Sequence, residues 1–76
     1  MAINNTYDAC AAIEGFAATE PTQTDIIEGW AYLIKTGDCW GLQGFYGRGA
    51  ADYINSGLIS KEGVIDWDRI NELIEE

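Results

Sequence analysis

Residues 26–58, IIEGWAYLIKTGDCWGLQGFYGRGAADYINSGL, combine apolar residues at helical spacing with interspersed glycines and two tryptophans. The first part of this stretch predicts an amphipathic helix, because its apolar residues recur on one face. That face consists of Ile26, Ile27, Trp30, Leu33 and Ile34. Either Thr22 or Thr24 can cap the start of the helix, and Gly37, after Lys35 in the last turn, is a typical stop.

The second part of the stretch predicts shorter elements. Asp38 can cap a new segment, and glycines then alternate with large side chains from Cys39 to Gly49, which indicates a helical turn followed by a tight loop. A third helix is predicted from Arg48 to Ser56, with Gly57 as its stop. Its inward residues are expected to be Ala50, Ala51, Tyr53 and Ile54.

Weaker patterns flank this stretch. Thr6 can cap a first helix that runs to Phe16, and Pro21 disfavours helix at the residue before it. The apolar residues of this helix recur imperfectly at helical spacing, and they are Tyr7, Ala11, Ile13 and Phe16. A break around Pro21 therefore separates the first helix from the second.

The C-terminal part predicts a turn and a last helix. Residues 58–59 and 64–65 can pair as a minimal hairpin around a turn at residues 61–63. Asp66 precedes the last helix, whose inward face is expected to comprise Trp67, Ile70, Leu73 and Ile74. Its outward residues are expected to be Asp68, Glu72, Glu75 and Glu76. Its last turn should fray, because the carboxylates at the C-terminal end oppose the helix dipole. The predicted fold class is all-α: one domain over residues 1–76, a compact bundle of three to four short helices that allows a minimal β-hairpin before the last one.

Charge narrows the range of partners. Thirteen acidic residues face four basic ones, which gives a formal net charge of −9. Such a charge opposes direct binding to nucleic acid or to anionic membranes, and it suits a protein partner with a basic surface. Solubility alone would also explain it.

The chain offers little for catalysis or metal binding. It contains no histidine, and Cys10 and Cys39 are expected to be reduced, packed thiols. Cys39 could act as a nucleophile only if Lys35 or Arg48 lowered its pKa. The carboxylate pairs, Asp66 with Asp68 and Asp8 with Glu14, could serve acid and base roles, but so small a domain argues against such a site. Asp66 and Asp68 are better explained by helix capping and by the dipole of the first turn. We therefore expect no enzyme, no metal and no cofactor.

The sequence also contains no clear motif for binding nucleotides or for crossing a membrane. The run GLQGFYGRG at residues 41–49 lacks the phosphate-loop pattern. No stretch is long and apolar enough for a membrane span, and the N-terminus does not read as a signal peptide, which predicts an intracellular protein without membrane association.

A protein-binding surface would combine exposed aromatic groups with charge. Arg48 could stack on a ring or pair with Asp52, four residues later. Alternatively, each of these aromatic side chains could be packed in the core and not exposed for binding. The candidate partner-binding residues are Tyr32, Tyr46, Arg48, Trp67, Glu28, Asp52 and Asp68.

The segment GWAYLIKTG at residues 29–37, followed by Trp40, LQGF at residues 42–45, and Gly47-Arg48, resembles a family of small bacteriophage proteins of unknown function. Ala51, Ile54 and Gly57 continue the likeness, whose common form reads approximately AWQYLIDTG and then WxLQGxxGRxA. This sequence has Gly29 where Ala is commoner and Lys35 where Asp is commoner. It also differs in having Gly49 directly after the arginine. The resemblance covers the middle half of the chain.

The resemblance implies a phage accessory protein in the bacterial host cytoplasm, and it carries no catalytic residues. The leading hypothesis is a module that binds a protein partner and inhibits or redirects a host or defence factor, with nucleic-acid mimicry as one route. The alternative is a structural or self-assembling minor virion component. Oligomeric state does not follow from the sequence.

Overall fold

The computed structural model describes residues 3–16, 20–42 and 44–74, and these contain five helices. The helices are α1 (Thr6–Glu14), α2 (Gln23–Thr36), α3 (Asp38–Gly41), α4 (Gly44–Ser56) and α5 (Trp67–Ile74). In these ranges the β-structure consists of one isolated bridge. The all-α fold class is confirmed, and α3, a single turn, is the element that brings the number of helices to five.

Helix α2 has the start and the stop that the sequence predicts. The Asp25 amide donates to Thr22 Oγ1 at 3.1 Å, and the Thr22 amide donates to Asp25 Oδ2 at 2.9 Å. This reciprocal capping box makes Thr22, rather than Thr24, the N-cap. Gly37 closes the helix in the left-handed conformation, with φ of 82°. Four residues of the predicted stripe are buried, namely Ile27, Trp30, Leu33 and Ile34.

Helix α1 differs from its prediction at both ends. Asn5, not Thr6, is the N-cap, and its Oδ1 accepts from the Asp8 amide at 2.8 Å. The helix stops at Glu14, because Gly15 takes the left-handed conformation. Phe16 therefore lies beyond the helix and is exposed. The buried face carries small residues instead: Ala9, Ala11 and Ala12.

Small residues are required where α1 crosses α2. A Cβ at Gly29 would lie 3.0 Å from the Ala9 carbonyl oxygen, so the two backbones are already in close contact. Tyr7, at the outer side of α1, is 68% exposed, and its ring packs edge-on against Phe16 with centroids 5.6 Å apart. Of the four residues at imperfect helical spacing, Tyr7 and Phe16 therefore lie outside the buried contact, where the close crossing leaves no space for large side chains.

Helix α4 begins at Gly44 and not at the predicted Arg48, so the tight loop predicted before Arg48 is wrong over residues 44–47. The longer helix places Tyr46, Ala50 and Tyr53 at spacings of four and three residues, on one face. Tyr46 and Tyr53 contact the Trp30 ring, with centroid distances of 5.8 and 5.6 Å. Asp38 also differs from its prediction, because it lies inside the first turn of α3 and Gly37 precedes it as the N-cap.

The segment after α4 forms a reduced version of the predicted hairpin. Ile59 and Ile65 make a single antiparallel bridge. The Ser60 amide donates to the Val64 carbonyl, and the Asp66 amide donates to the Leu58 carbonyl, each at 2.8 Å. The core beneath this segment unites α2, α4 and α5 and includes the buried residues Leu33, Ile59 and Ile70.

Helix α5 starts as predicted, since Asp66 Oδ1 accepts from the Arg69 amide at 3.1 Å. Its inward face is narrower than predicted: Ile70 is 2% exposed, but Leu73 is 66% exposed. The position of Leu73 on the buried face is therefore wrong, because no neighbouring helix covers the last turn of α5 in the described residues. The predictions for Glu75, Glu76 and the Ile74 side chain lie outside what the structure describes.

Candidate functional site

Four of the seven candidate residues lie around Ile65. A shallow cavity of about 340 Å³ is lined by Ile3, Glu28, Ala31, Tyr32, Lys35, Gly63 and Ile65. An adjoining cavity of about 400 Å³ is lined by Val64, Ile65, Asp66, Trp67 and Asp68. Since Ile65 borders both cavities, they form one continuous region. We call this region the bridge surface, and it comprises Glu28, Tyr32, Val64, Ile65, Trp67 and Asp68.

Three elements position the bridge surface. Glu28 and Tyr32 are one turn apart on α2, so they lie on the same side of that helix. The bridge holds Ile65 against this helix, and the turn before it packs tightly at Gly63, where a Cβ would lie 2.7 Å from the Ala31 carbonyl oxygen. The Asp66 cap then fixes the first turn of α5, which carries Trp67 and Asp68.

The bridge surface combines apolar exposure with negative charge. Val64 is 67% exposed and Trp67 is 38% exposed, so both offer apolar area to a partner. Asp66 and Asp68 are exposed beside them, and Glu28 is partly exposed. Lys35 is the cation that lines the same region. The bridge surface thus places exposed aromatic and acidic groups side by side.

Tyr46 does not belong to the surface. It is 4% exposed, because the early start of α4 turns its ring toward Trp30. Its role as a partner-binding residue is therefore a wrong prediction. The residue is instead part of the contact between α1 and α4, where its phenol donates a hydrogen bond to Glu14 Oε2.

Arg48 and Asp52 lie on the exposed side of α4, apart from the residues that line the bridge surface. The Arg48 guanidinium extends back along its own helix, where a Cβ at Gly44 would lie 3.0 Å from Nη1. Asp52 is one turn away in the opposite direction along the helix. The predicted pairing between Arg48 and Asp52 is therefore wrong.

Buried hydroxyl and thiol groups are held in their protonated forms. Burial is the main cause that raises the pKa of Tyr46, and its hydrogen bonds with Cys10 and Glu14 add to the effect. Burial also raises the pKa of the Cys39 thiol, which is fully enclosed. A protonated, enclosed thiol is a poor nucleophile, so Cys39 acts as a packed apolar residue. Both cysteines are free.

The described residues hold no group of three or more acidic or thiol side chains that could bind a metal ion. They also include no helix with the length and hydropathy of a membrane span.

The sequence did not indicate two apolar features of the surface. One is a groove of about 290 Å³ lined by Gln23, Ile26, Ile27, Tyr53, Leu58, Ile70 and Leu73. The other surrounds the junction of α3 and α4, where Trp40, Leu42 and Phe45 are 56%, 38% and 48% exposed. The alternation of these three residues with glycines was the available signal, since glycines cannot cover their large neighbours.

A family model described as a domain of unknown function, DUF7417, matches residues 11–76. The chain belongs to this family. The match includes α2 to α5 and the turn at Gly63, so the bridge surface and the apolar groove are both parts of the DUF7417 domain. No curated protein and no solved structure matches the chain.

Proposed function

We propose that this DUF7417 protein is a protein-binding module that docks on a basic surface of its partner through the bridge surface. The observation that supports the proposal is the convergence of Glu28, Tyr32, Trp67 and Asp68 around Ile65. Trp and Tyr provide much of the binding energy at protein interfaces, and carboxylates around them select a basic partner.

The overall charge supports the same kind of partner. A net charge of −9 accelerates encounter with a basic protein and repels nucleic acid and anionic lipid. Since basic surfaces are typical of proteins that bind nucleic acid, the partner we propose is a nucleic-acid-binding protein whose binding face is blocked by this module. Inhibition or redirection of that partner would follow from occupancy alone, without catalysis.

The biological setting that we propose rests on the resemblance of residues 29–57 to small bacteriophage proteins. A phage accessory protein would meet host and defence factors in the bacterial cytoplasm. The alternative role, a structural or self-assembling part of the virion, would give the protein a place in purified particles.

The experiment is capture of partners from bacterial lysate on the tagged protein at about 50 mM and about 500 mM salt. We expect a partner that is retained at low salt and released at high salt, because screening weakens charge pairing between exposed groups. The variant Trp67→Ala should lose most of the retained partner, since it removes the exposed indole area of the bridge surface. The charge variant Asp68→Lys should lose it as well.

The matched control is Asp52→Lys, which makes the same change of charge on the exposed side of α4. Retention of the partner by this control, together with its loss from Asp68→Lys, would assign binding to the bridge surface. Equal loss from both variants would show that only net charge matters. Recovery of virion proteins alone, or of no protein at all, would contradict the proposal and favour the structural role.

A further inference from the structure

The bridge surface contains an unpaired stretch of backbone at Ile65. The two hydrogen bonds of the antiparallel bridge join the neighbours of Ile59 to the neighbours of Ile65, and not these two residues themselves. In this arrangement the amide and carbonyl groups of each bridged residue point away from the other strand. The Ile59 amide donates to the Tyr53 carbonyl. Ile65 has no backbone hydrogen bond within residues 3–16, 20–42 and 44–74, so its N–H and C=O groups form an outer edge that a further strand can join.

We propose that the basic partner binds through an extended segment that adds a strand at Ile65, a proposal that rests on the proposed function and names the part of the partner that is bound. The segment residue opposite Ile65 donates its amide N–H to the Ile65 carbonyl oxygen and accepts from the Ile65 amide. Ile65 is partly exposed and borders both cavities, so the edge is within reach of a partner. In strand addition, main-chain hydrogen bonds give affinity and alternate side chains give specificity.

The residue opposite Ile65 should be apolar. Side chains that lie directly opposite in an antiparallel pair share one face. The Ile65 side chain packs against the core and borders the cavity of about 340 Å³ that Ala31 and Tyr32 also line. Glu28 and Lys35 supply one charge of each sign to the same cavity, so it favours no net charge on the side chain that enters it.

The residues on either side of that apolar residue should be basic. Successive side chains of a strand alternate between its two faces. The flanking side chains therefore lie on the face of Val64 and Asp66, which are exposed, and Asp68 is exposed two residues further on. The Arg69 guanidinium lies beside Gly57, where a Cβ would be 3.6 Å from its Cζ. The expected recognition element is thus basic, apolar and basic in sequence, held in an extended conformation.

The test is titration of the full chain with the synthetic peptide KTKVKTK, followed by NMR. Its single valine sets the register, and its lysines lie on the opposite face. We expect the Ile65 amide proton to become protected from hydrogen exchange when the peptide binds. The amides of Ser60 and Asp66 are the internal control, because each already donates a hydrogen bond of 2.8 Å within the bridge. The peptide KKKKVTT has the same composition and charge without the alternation, and it should bind more weakly.

Two N-methylated forms of KTKVKTK test the main-chain hydrogen bonds. Methylation of the valine nitrogen removes the donor to the Ile65 carbonyl and should weaken binding about tenfold. Methylation of the next lysine nitrogen should leave binding nearly unchanged, since that N–H points to the other edge of the segment. On the protein, Ile65→Pro removes the amide donor at an edge position, where strands tolerate proline, and should weaken binding. Ile65→Val keeps the donor and is its control.

The outcomes separate strand addition from the proposed function. Equal weakening by both N-methyl groups, equal binding of KKKKVTT, or binding that leaves the Ile65 amide unprotected would overturn strand addition. So would absence of peptide binding. In each case the proposed function stands if capture from lysate still depends on Trp67 and Asp68. Failure of that capture, whatever the peptide does, would count against the proposed function itself.

Discussion

The indole ring of Trp30 packs directly on the backbone of Gly49. A Cβ at position 49 would lie 2.8 Å from Trp30 Cζ2 and 2.9 Å from Cζ3, well inside van der Waals contact. The same indole is in contact with the rings of Phe45, Tyr46 and Tyr53. Gly49 is thus the position at which α4 comes close enough to α2 for these four rings to share one cluster.

We expect Gly49→Ala to destabilise the fold by about 1–3 kcal/mol, since an added methyl group in a packed region forces neighbours to shift. The gain from replacing glycine within a helix, about 1 kcal/mol, is smaller than this cost. Gly47→Ala is the matched control. A Cβ there would make ordinary contacts of 3.8 and 3.9 Å, so its expected effect is neutral or stabilising. Urea unfolding of both variants would measure the difference, and equal midpoints would contradict the packing argument.

A second prediction concerns the hydrogen bond from the Tyr46 phenol to Glu14, which joins α4 to α1. Tyr46→Phe removes this bond and should lower the free energy of unfolding by about 1 kcal/mol at neutral pH. Tyr7→Phe is the control. Tyr7 is 68% exposed, so loss of its hydroxyl group should not measurably change the free energy of unfolding. The test is chemical denaturation of the two variants beside the wild type.

The same substitution has an expected signature at alkaline pH. Burial raises the pKa of Tyr46 in the fold above the value near 10 that it has in the unfolded chain. The resulting stability is complete below pH 10 and falls as the pH rises above it, because the unfolded state then loses its proton first. Tyr46→Phe should therefore show a shallower loss of stability above pH 10. Some loss should remain, since burial also raises the pKa of Tyr53.

The sequence predicted α2 well because several local signals coincide there. The apolar stripe, the Thr22 and Asp25 pair and Gly37 all indicate the same helix, and the structure contains each of these features. Helix α5 was also located by a local signal, the Asp66 cap. Local chemistry near a helix end is visible in sequence because cap and partner lie within four residues of each other.

The errors in the predicted site arise from packing between distant residues. Helix α4 starts at Gly44, and the extra turn brings Phe45 and Tyr46 into contact with the distant Trp30 ring. Gly44 and Gly47 disfavour helix locally, so the sequence of this first turn of α4 suggested a loop. Tyr46 was consequently assigned to the surface. The exposure of Leu73 likewise depends on which elements cover α5, which no local pattern records.

The capping box at the start of α2 leads to a prediction for acid conditions. The hydrogen bond from the Thr22 amide is the main cause that lowers the pKa of Asp25 below its ordinary value of 3.8. The stability that this carboxylate contributes is present above that pH, and it is lost as the pH falls through the lower value in the fold. Asp25→Asn should therefore be less stable than the wild type at pH 7, and the gap should narrow at pH 3.

Asp52→Asn is the control for that experiment, because it removes an exposed carboxylate from the middle of α4. Its stability relative to the wild type should change little between the two pH values. Urea unfolding at pH 7 and pH 3 provides the measurement. A gap for Asp25→Asn that stays constant would show that ionisation of this residue does not contribute.

The last prediction concerns Gly63, at which the turn of residues 60–63 packs against α2. Its φ is +84°, and a Cβ there would lie 2.7 Å from both the Ala31 carbonyl oxygen and Lys35 Cβ. Gly15 has nearly the same φ, +81°, but its Cβ would have no neighbour within 4 Å. Both Ala variants incur backbone strain of about 1–2 kcal/mol. Gly63→Ala should lose about 1–3 kcal/mol more, because it also separates the turn from the helix.

This separation should alter the bridge surface, since the displaced turn is followed directly by Val64, Ile65 and Trp67. The indole N–H resonance of Trp67 in an NMR spectrum should therefore shift in Gly63→Ala and stay unchanged in Gly15→Ala. Partner capture should weaken in Gly63→Ala alone, at a temperature where both variants remain folded. A Gly63→Ala variant with an unshifted resonance and full capture would show that the close contact with α2 does not determine the geometry of the bridge surface.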